Sequence, residues 1–171
     1  QKGATPEMVT QLDAALTHFA QVVQRDIGVD IDDVPGAGAA GGLGGGLIAF
    51  LGGSLREGVD IVLDAVGLEG QLEGADLVIT GEGQMDFQTV YNKAPIGVAR
   101  LAKARGIPVI GVSGSLSDGY ADVHEHGIDA AFAITSAPMS LEEASERAAE
   151  LIADATEQAL RLMQAGSRVF G

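Results

Sequence analysis

The chain contains no cysteine and no tryptophan among its 171 residues, and only 4% of them are aromatic. Without cysteine there is no disulfide framework, no thiolate nucleophile and no cysteine-ligated zinc or iron–sulfur centre. Basic residues are scarce as well, since 10 lysines and arginines stand against 24 acids and leave a formal net charge of −14. This charge argues against a nucleic-acid surface and against docking on anionic membranes. An anionic substrate would therefore need a few local donors or metal ions that act against the overall field.

A secretory signal peptide is also missing from the start of the sequence. Together with the lack of cysteine, this favours a cytoplasmic location. The first residues read like the inside of a longer sequence, so we expect the chain to be a segment of a larger protein. Residues 35–55 carry no charge and could span a bilayer by length, but nine of them are glycine. That composition favours a glycine-rich turn that leads into a buried helix.

Apolar periodicity predicts an amphipathic helix over about residues 5–24, with Thr5 as N-cap and Pro6 in the first turn. From residue 76 onward, short apolar runs alternate with helical patterns. Strands are predicted at 77–80, 107–113 and 130–135. Helices are predicted at 94–105, at 118–124 and, from a capping box at Ser140, through 163. The inner face of this last helix is predicted to hold Ala144, Ala148, Leu151, Ile152, Ala155 and Met163.

Alternating strands and helices predict an α/β fold with three layers, doubly wound around a mostly parallel sheet. A boundary is predicted near residues 70–74, just before the pattern changes. Residues 1–73 would then be part of an α/β domain with the glycine-rich loop and helix. Residues 74–171 would be the C-terminal part of a Rossmann-like α/β domain.

The segment most indicative of chemistry follows the first predicted strand. Gly81 and Gly83 bracket Glu82, and Asp86 lies four residues further on. Ligands of open α/β sheets bind where strands end, and glycine lets the backbone approach them closely. Such a loop could hold Mg²⁺ through Asp86 and Glu82, or use one carboxylate as a base on a substrate hydroxyl. The other polar residues of the loop, predicted to bind substrate or nucleotide, are Gln88 and Thr89. The alternative is a solvated turn whose acids only face water.

Lys93 lies just before Pro95, at the start of the helix predicted for 94–105. A cation at that end opposes the helix dipole. The position is favourable if a phosphate or carboxylate binds between the ammonium and the helix amides. An exposed lysine that tolerates a small electrostatic cost is the alternative.

The glycine-rich loop matches a GxGxxG pattern at Gly36, Gly38 and Gly41, followed by Gly42. A dinucleotide site requires a buried strand before such a loop, and the acidic, proline-terminated residues 30–35 do not resemble one. Two other interpretations stay open: backbone amides that bind an anionic substrate or nucleotide, and close packing of helices. At the end of the second predicted strand, Ser113 and Gly114 are further candidates for ligand binding.

Four blocks of sequence resemble the bacterial glycerate kinase family. They are Gln-Lys-Gly-Ala-Thr-Pro-Glu at 1–7, Val-Pro-Gly-Ala-Gly-Ala-Ala-Gly-Gly-Leu-Gly at 34–44, Ile-Thr-Gly-Glu-Gly at 79–83 with Asp86, Gln88 and Thr89, and Lys-Ala-Pro-Ile-Gly-Val-Ala at 93–99. The resemblance implies an ATP- and Mg²⁺-dependent kinase that phosphorylates a hydroxyl of D-glycerate. It also implies two α/β domains with the active site in the cleft between them. Family members are longer, and this chain resembles their C-terminal half, without the N-terminal Asp-Ser-Phe-Lys-Gly motif.

The chemistry of the residues and the family resemblance agree on Glu82, Asp86 and Lys93, which we predict to be catalytic. Asp86 or Glu82 would orient the glycerate hydroxyl or hold Mg²⁺, and Lys93 would contact phosphate or the glycerate carboxylate. Two departures from the family pattern are Gln84, where arginine is frequent, and Asn92, where glycine is frequent.

The missing N-terminal half of the chain is the main expected partner, so the isolated piece is expected to be inactive; a homodimer is left open. The choice between the 2- and the 3-hydroxyl of D-glycerate is also left open. The alternatives are a non-catalytic small-molecule-binding α/β module and, less favoured, an NAD-dependent dehydrogenase.

Overall fold

A computed structural model describes residues 3–91 and 93–170, with only the backbone of Phe170 described. The family-pattern departure at Asn92 and the first two residues of the block at 1–7 therefore lie outside the described residues. The chain divides into two compact units, Gln1–Arg56 and Glu57–Gly171. Residues 57–73 fall in the second unit, although the sequence analysis grouped them with the first. The domain boundary in a longer parent chain stays a prediction.

The first unit consists of two helices, α1 (Pro6–Ile27) and α2 (Ala39–Leu51). Thr5 caps α1 as predicted, because its hydroxyl oxygen accepts a hydrogen bond from Met8 N at 3.3 Å. The helix continues past the predicted end at residue 24 and closes at Gly28, in a left-handed conformation. Ala20, Val23 and Ile31 form the buried core of this unit. Among the helices of the described residues, none combines the length and apolar composition needed to cross a membrane.

The second unit carries the sheet. Its elements, in chain order, are α3 (Gly58–Ala65), α4 (Leu68–Gln71), β1 (Val78–Met85), α5 (Ala94–Lys103), β2 (Val109–Leu116), a 3₁₀ helix (Tyr120–His124), β3 (Ala130–Ala133), α6 (Leu141–Glu146) and α7 (Ala148–Phe170). The three strands are parallel and ordered β1-β2-β3. Parallel neighbours require crossover connections, and α5 supplies the one between β1 and β2.

Helices cover both faces of this sheet, because successive side chains of a strand point to opposite sides. Val109 of β2 packs in the core cluster formed with α5, which includes Ile96 and Ala99. Its neighbour Ile110 packs in the opposite cluster, with Leu151 of α7. The predicted α/β fold with a parallel sheet between two helical layers is confirmed.

Several predicted boundaries were wrong. The first strand continues to Met85 instead of ending at residue 80, and the second runs over 109–116. The predicted helix at 94–105 ends at Lys103, and the 118–124 segment is a short 3₁₀ helix. The amide of Glu143 donates to the Ser140 hydroxyl at 3.1 Å, so the predicted N-cap is present.

The helix predicted from Ser140 through 163 is two helices, since α6 ends before Arg147 and α7 begins after it. Leu151 is buried as predicted, together with Ala159. Ile152 and Met163, predicted for the inner face, are 48% and 43% exposed. Ala144 and Ala155 pack against the same core cluster as Leu151, so the predicted inner face is present except for Ile152 and Met163.

Candidate functional site

Two acidic side chains and one lysine meet where β1 passes into α5. Glu82 lies within β1, Asp86 follows the strand directly, and Lys93 is the N-cap residue of α5. The turn that connects β1 to α5 is stabilised by hydrogen bonds to Asp86. Its Oδ1 accepts from Gln88 N at 2.8 Å, and its carbonyl accepts from Thr89 N at 3.0 Å. An aspartate that bonds the backbone two residues ahead is a common turn former, and here it brings Lys93 back beside the strand.

Glu82 and Asp86, together called the carboxylate pair below, face the same ammonium. Lys93 Nζ lies 3.5 Å from Glu82 Oε2 and 3.7 Å from Asp86 Oδ1. The two carboxylate side chains are only 17% and 18% exposed, whereas that of Lys93 is 37% exposed. The cluster carries two negative charges and one positive charge. The surplus negative charge leaves the site suited to a further cation.

The donor set fits Mg²⁺ as a partial site. Magnesium binds oxygen ligands and is commonly held by one or two carboxylates, with water and substrate phosphates completing the shell. The carboxylate pair supplies that number of protein ligands. Within residues 3–91 and 93–170, no group of three or more histidine, aspartate or glutamate side chains is placed to hold a metal ion. A magnesium ion here would therefore need most of its ligands from water and substrate.

A threonine beneath the carboxylate pair connects its two members. Thr89 is fully buried, and its hydroxyl donates to Glu82 Oε1 at 2.6 Å. The same hydroxyl oxygen accepts from Asp86 N at 3.0 Å. Thr89 is predicted from the sequence to lie on a binding loop, whereas the structure buries its side chain between the turn and Glu82 of β1.

One contact of the site was not anticipated. The side-chain amide of Gln84 donates to Asp86 Oδ2 at 3.3 Å. Gln84 and Asp86 are two residues apart at the end of β1, and this spacing, which places side chains on one face of an extended chain, is the signal that could have revealed the pair. Gln84 was noted only as a departure from the family pattern. It helps to hold the Asp86 carboxylate in place.

The candidates on β2 lie next to this cluster, because Ser113 pairs in register with Glu82. Ser113 is buried and donates its hydroxyl proton to Ser115 O at 2.9 Å, so that proton is already bonded within the strand. A side chain at Gly114 would collide with the carbonyl oxygen of Gly83. Gly114 is thus explained by the close approach of two strands, and a binding role for Ser113 and Gly114 stays a prediction.

The glycine-rich loop lies in the first unit. Gly36, Gly41 and Gly42 have positive φ angles, and Ala40 shares that left-handed conformation although it is not glycine. The loop therefore extends into α2, whose backbone is not helical at residues 40–42. A side chain at Gly42 would lie 2.9 Å from Leu16 Cδ2, so this glycine permits close packing against α1. Beside the loop is a cleft of about 600 Å³ with a largely apolar lining of Leu12, Ala15, Leu16, Phe19, Gly38, Ala40, Gly41, Gly42 and Leu43.

Residues 28–38, before this loop's helix, form turns and irregular structure instead of a strand. A dinucleotide-binding fingerprint needs a strand that leads into the glycines. The structure therefore lacks the feature that would favour an NAD-dependent dehydrogenase. Binding of an anion by Gly36, Gly38, Gly41 and Gly42 stays a prediction.

Comparison with known proteins gave consistent matches. The sequence profile of the Glycerate kinase family matches residues 1–164. Glycerate kinase from Bacillus cereus is 53% identical over 152 residues, covering 89% of this chain and 40% of the relative. Glycerate 2-kinase from Escherichia coli K12 is 46% identical over 171 residues, covering 100% of this chain and 45% of the relative.

A solved structure also matches. The crystal structure of a protein provisionally assigned as glycerate kinase 2 from Salmonella typhimurium LT2 superposes with a TM-score of 0.72 at 46% identity. The match covers 98% of this chain and 43% of that one. The chain thus spans less than half the length of the relatives that it matches.

Proposed function

Because the chain belongs to the glycerate kinase family, we propose that it is the C-terminal portion of an enzyme that transfers the γ-phosphate of ATP to a hydroxyl of D-glycerate. The product is a phosphoglycerate, and the choice between the 2- and 3-hydroxyl is left to product analysis. Kinases of this family use a nucleotide substrate; ATP as that nucleotide is part of the proposal.

The observation that carries the proposal is the placement of Lys93 beside the carboxylate pair at the start of α5. Phosphoryl transfer depends mainly on positioning the reactants and neutralising the charge of the phosphoryl group. Lys93 and the positive end of the α5 dipole present positive charge to an anion. The carboxylate pair, 3.5 and 3.7 Å away, supplies the complementary groups for a hydroxyl or a metal ion.

Each side chain has a role in this scheme. Asp86 or Glu82 accepts the hydrogen bond of the glycerate hydroxyl and orients its oxygen toward the phosphate. Lys93 binds the phosphate or the glycerate carboxylate. Mg²⁺ would be held by the carboxylate pair and, when bound, would neutralise phosphate charge. The glycines at 36, 38, 41 and 42 are proposed to bind an anionic group with their backbone amides.

The remaining features of the scheme concern the whole protein. The enzyme is proposed to act in the cytoplasm, with its active site in a cleft between two domains of the longer chain. The isolated 171-residue piece is proposed to be inactive without the rest of its chain, and a homodimer is an option that sedimentation would test.

The test is glycerate-dependent ADP release by the longer parent protein supplied with ATP and Mg²⁺. Glu82→Gln and Asp86→Asn keep the size of each side chain and remove its charge. We expect each to lower kcat by about 100-fold or more, the range seen for loss of general acid–base or charge-stabilising groups. Glu73→Gln, on the exposed surface after α4, is the matched control and should turn over like the wild type.

Collapse of turnover in both site variants, with the control active, would support the proposal. A folded parent protein that binds ATP–Mg²⁺ but releases no ADP with D-glycerate would favour the non-catalytic binding module. Full activity in both site variants would place the chemistry elsewhere in the protein.

A further inference from the structure

Thr89 has no contact with solvent, and its hydroxyl bonds both the carboxylate of Glu82 and the backbone amide of Asp86. Its side chain is 0% exposed. A hydroxyl has one proton to donate, and Thr89 donates it to Glu82 Oε1 at 2.6 Å. The lone pairs on the same oxygen accept from Asp86 N at 3.0 Å. The hydrogen-bonding capacity of Thr89 is thus directed to the protein, which leaves little for a ligand.

The bond from Thr89 to Glu82 distinguishes the two carboxylate oxygens of Glu82. Oε1 is bonded to Thr89 in the interior, whereas Oε2 faces Lys93 at 3.5 Å. Glutamate is a flexible side chain and loses considerable rotamer entropy when it is fixed. A buried, charge-assisted hydrogen bond is of the strong kind that can fix it. The bond therefore selects one conformation of Glu82, with Oε2 presented to the site.

We propose that Thr89 is a positioning residue of the phosphoryl-transfer site, which acts through Glu82 without touching substrate. The inference rests on the proposed function and adds to it a defined role for a residue that the sequence places among the binding residues. Functional side chains need to be held by surrounding hydrogen bonds to within fractions of an ångström. Loss of the hydroxyl should therefore lower the rate at which bound substrates react.

Two substitutions distinguish the effect of the Thr89 hydroxyl group from the effect of the side chain's volume. Thr89→Val keeps the branched shape and removes both hydrogen bonds, while Thr89→Ser keeps the hydroxyl and removes a methyl group. In the parent protein we expect Thr89→Val to lower kcat by about 10- to 100-fold, with KM values changed much less. Thr89→Ser, which keeps the hydroxyl, should retain most of the wild-type kcat. Thr10→Val is the matched control, since the Thr10 hydroxyl also bonds within the protein, to Pro6 O at 3.1 Å, but on the exposed surface of α1.

A double-mutant cycle with Glu82→Gln tests whether Thr89 acts through Glu82. If it does, Thr89→Val should cost no more than about twofold in kcat once Glu82 has been replaced, because coupled residues are not additive. A purely structural role would give the same loss in both backgrounds. Melting temperatures of all variants show which of them are folded. If Thr89→Val does not fold, Thr89→Ser decides: kcat near wild type supports the role, and a loss as large as that of Glu82→Gln overturns it.

The failure of this proposal is distinct from the failure of the proposed function. A folded parent protein without glycerate-dependent ADP release would refute the kinase assignment and the positioning role with it. An active parent in which Thr89→Val matches the wild type, or in which the two substitutions are additive, would refute the positioning role alone.

Discussion

At the scale of single residues, Lys93 connects the start of α5 to the carboxylate pair. It belongs to α5 as the N-cap residue, and its ammonium reaches back to Glu82 in β1 and to Asp86 in the turn. A lysine at a helix N-terminus is disfavoured by the helix dipole. The carboxylate pair offsets this cost, which explains how the lysine is tolerated before any substrate anion binds.

Replacement of Lys93 tests whether the ammonium also serves the reaction. We expect Lys93→Ala in the parent protein to lower kcat/KM by about 100-fold or more, as for loss of a charge-stabilising donor. Lys103→Ala is the matched control, since Lys103 lies in the last turn of the same helix. Steady-state ADP release would measure both. An unchanged kcat/KM for Lys93→Ala would remove the lysine from the proposed mechanism.

At the scale of elements, β1 depends on glycine at one position more than at the other. A side chain at Gly81 would run into the carbonyl oxygen of Val112 on β2, whereas a side chain at Gly83 would meet open space. Both glycines flank Glu82, and the sequence alone treats them as equivalent. The structure assigns Gly81 to the close approach of two strands.

This difference predicts unequal effects on stability. Gly81→Ala should lower the free energy of unfolding by about 3 kcal/mol or more, because the new methyl group must push β1 and β2 apart. Gly83→Ala should change it by less than about 1 kcal/mol, since alanine has room there. Urea denaturation of the two variants beside the wild-type parent would measure both values. Equal losses would mean that the β1–β2 contact does not constrain Gly81.

At the scale of the whole molecule, the two compact units differ in whether each has enough buried apolar surface to fold alone. Residues 1–56 are few for an independent apolar core. The α2 helix also exposes several large apolar side chains: Leu43, Leu47, Phe50 and Leu51. The second unit has a parallel sheet with helices on both faces, the arrangement that buries parallel strands. The relatives are more than twice as long as their matched portion.

The isolated 171-residue chain should therefore show no glycerate-dependent ADP release under conditions in which the parent protein turns over. Two substrates must be held in line for phosphoryl transfer, and we expect the rest of the chain to supply part of their binding. Circular dichroism of the isolated chain would check that it is folded. Turnover by the folded piece at the parent's rate would show that the remaining residues are dispensable.

The sequence by itself determined the fold class and indicated a candidate site between Gly81 and Lys93. Short apolar runs and helical apolar periodicity depend on local geometry, so they predicted the three strands and the helices around them, although not their ends. Gly81 to Thr89 and Lys93 were singled out because charge beside glycine and at a helix start is unusual in a purely structural segment.

Only the tertiary structure decided which of these residues meet and how. The continuation of β1 to Met85 placed Glu82 inside a strand, and the pairing with β2 explained why residue 81 is glycine. Thr89, predicted as a ligand contact, is buried and hydrogen-bonds both Glu82 and the backbone amide of Asp86. These outcomes depend on contacts between β1, its turn and a neighbouring strand, and a single sequence does not specify such contacts through local propensity.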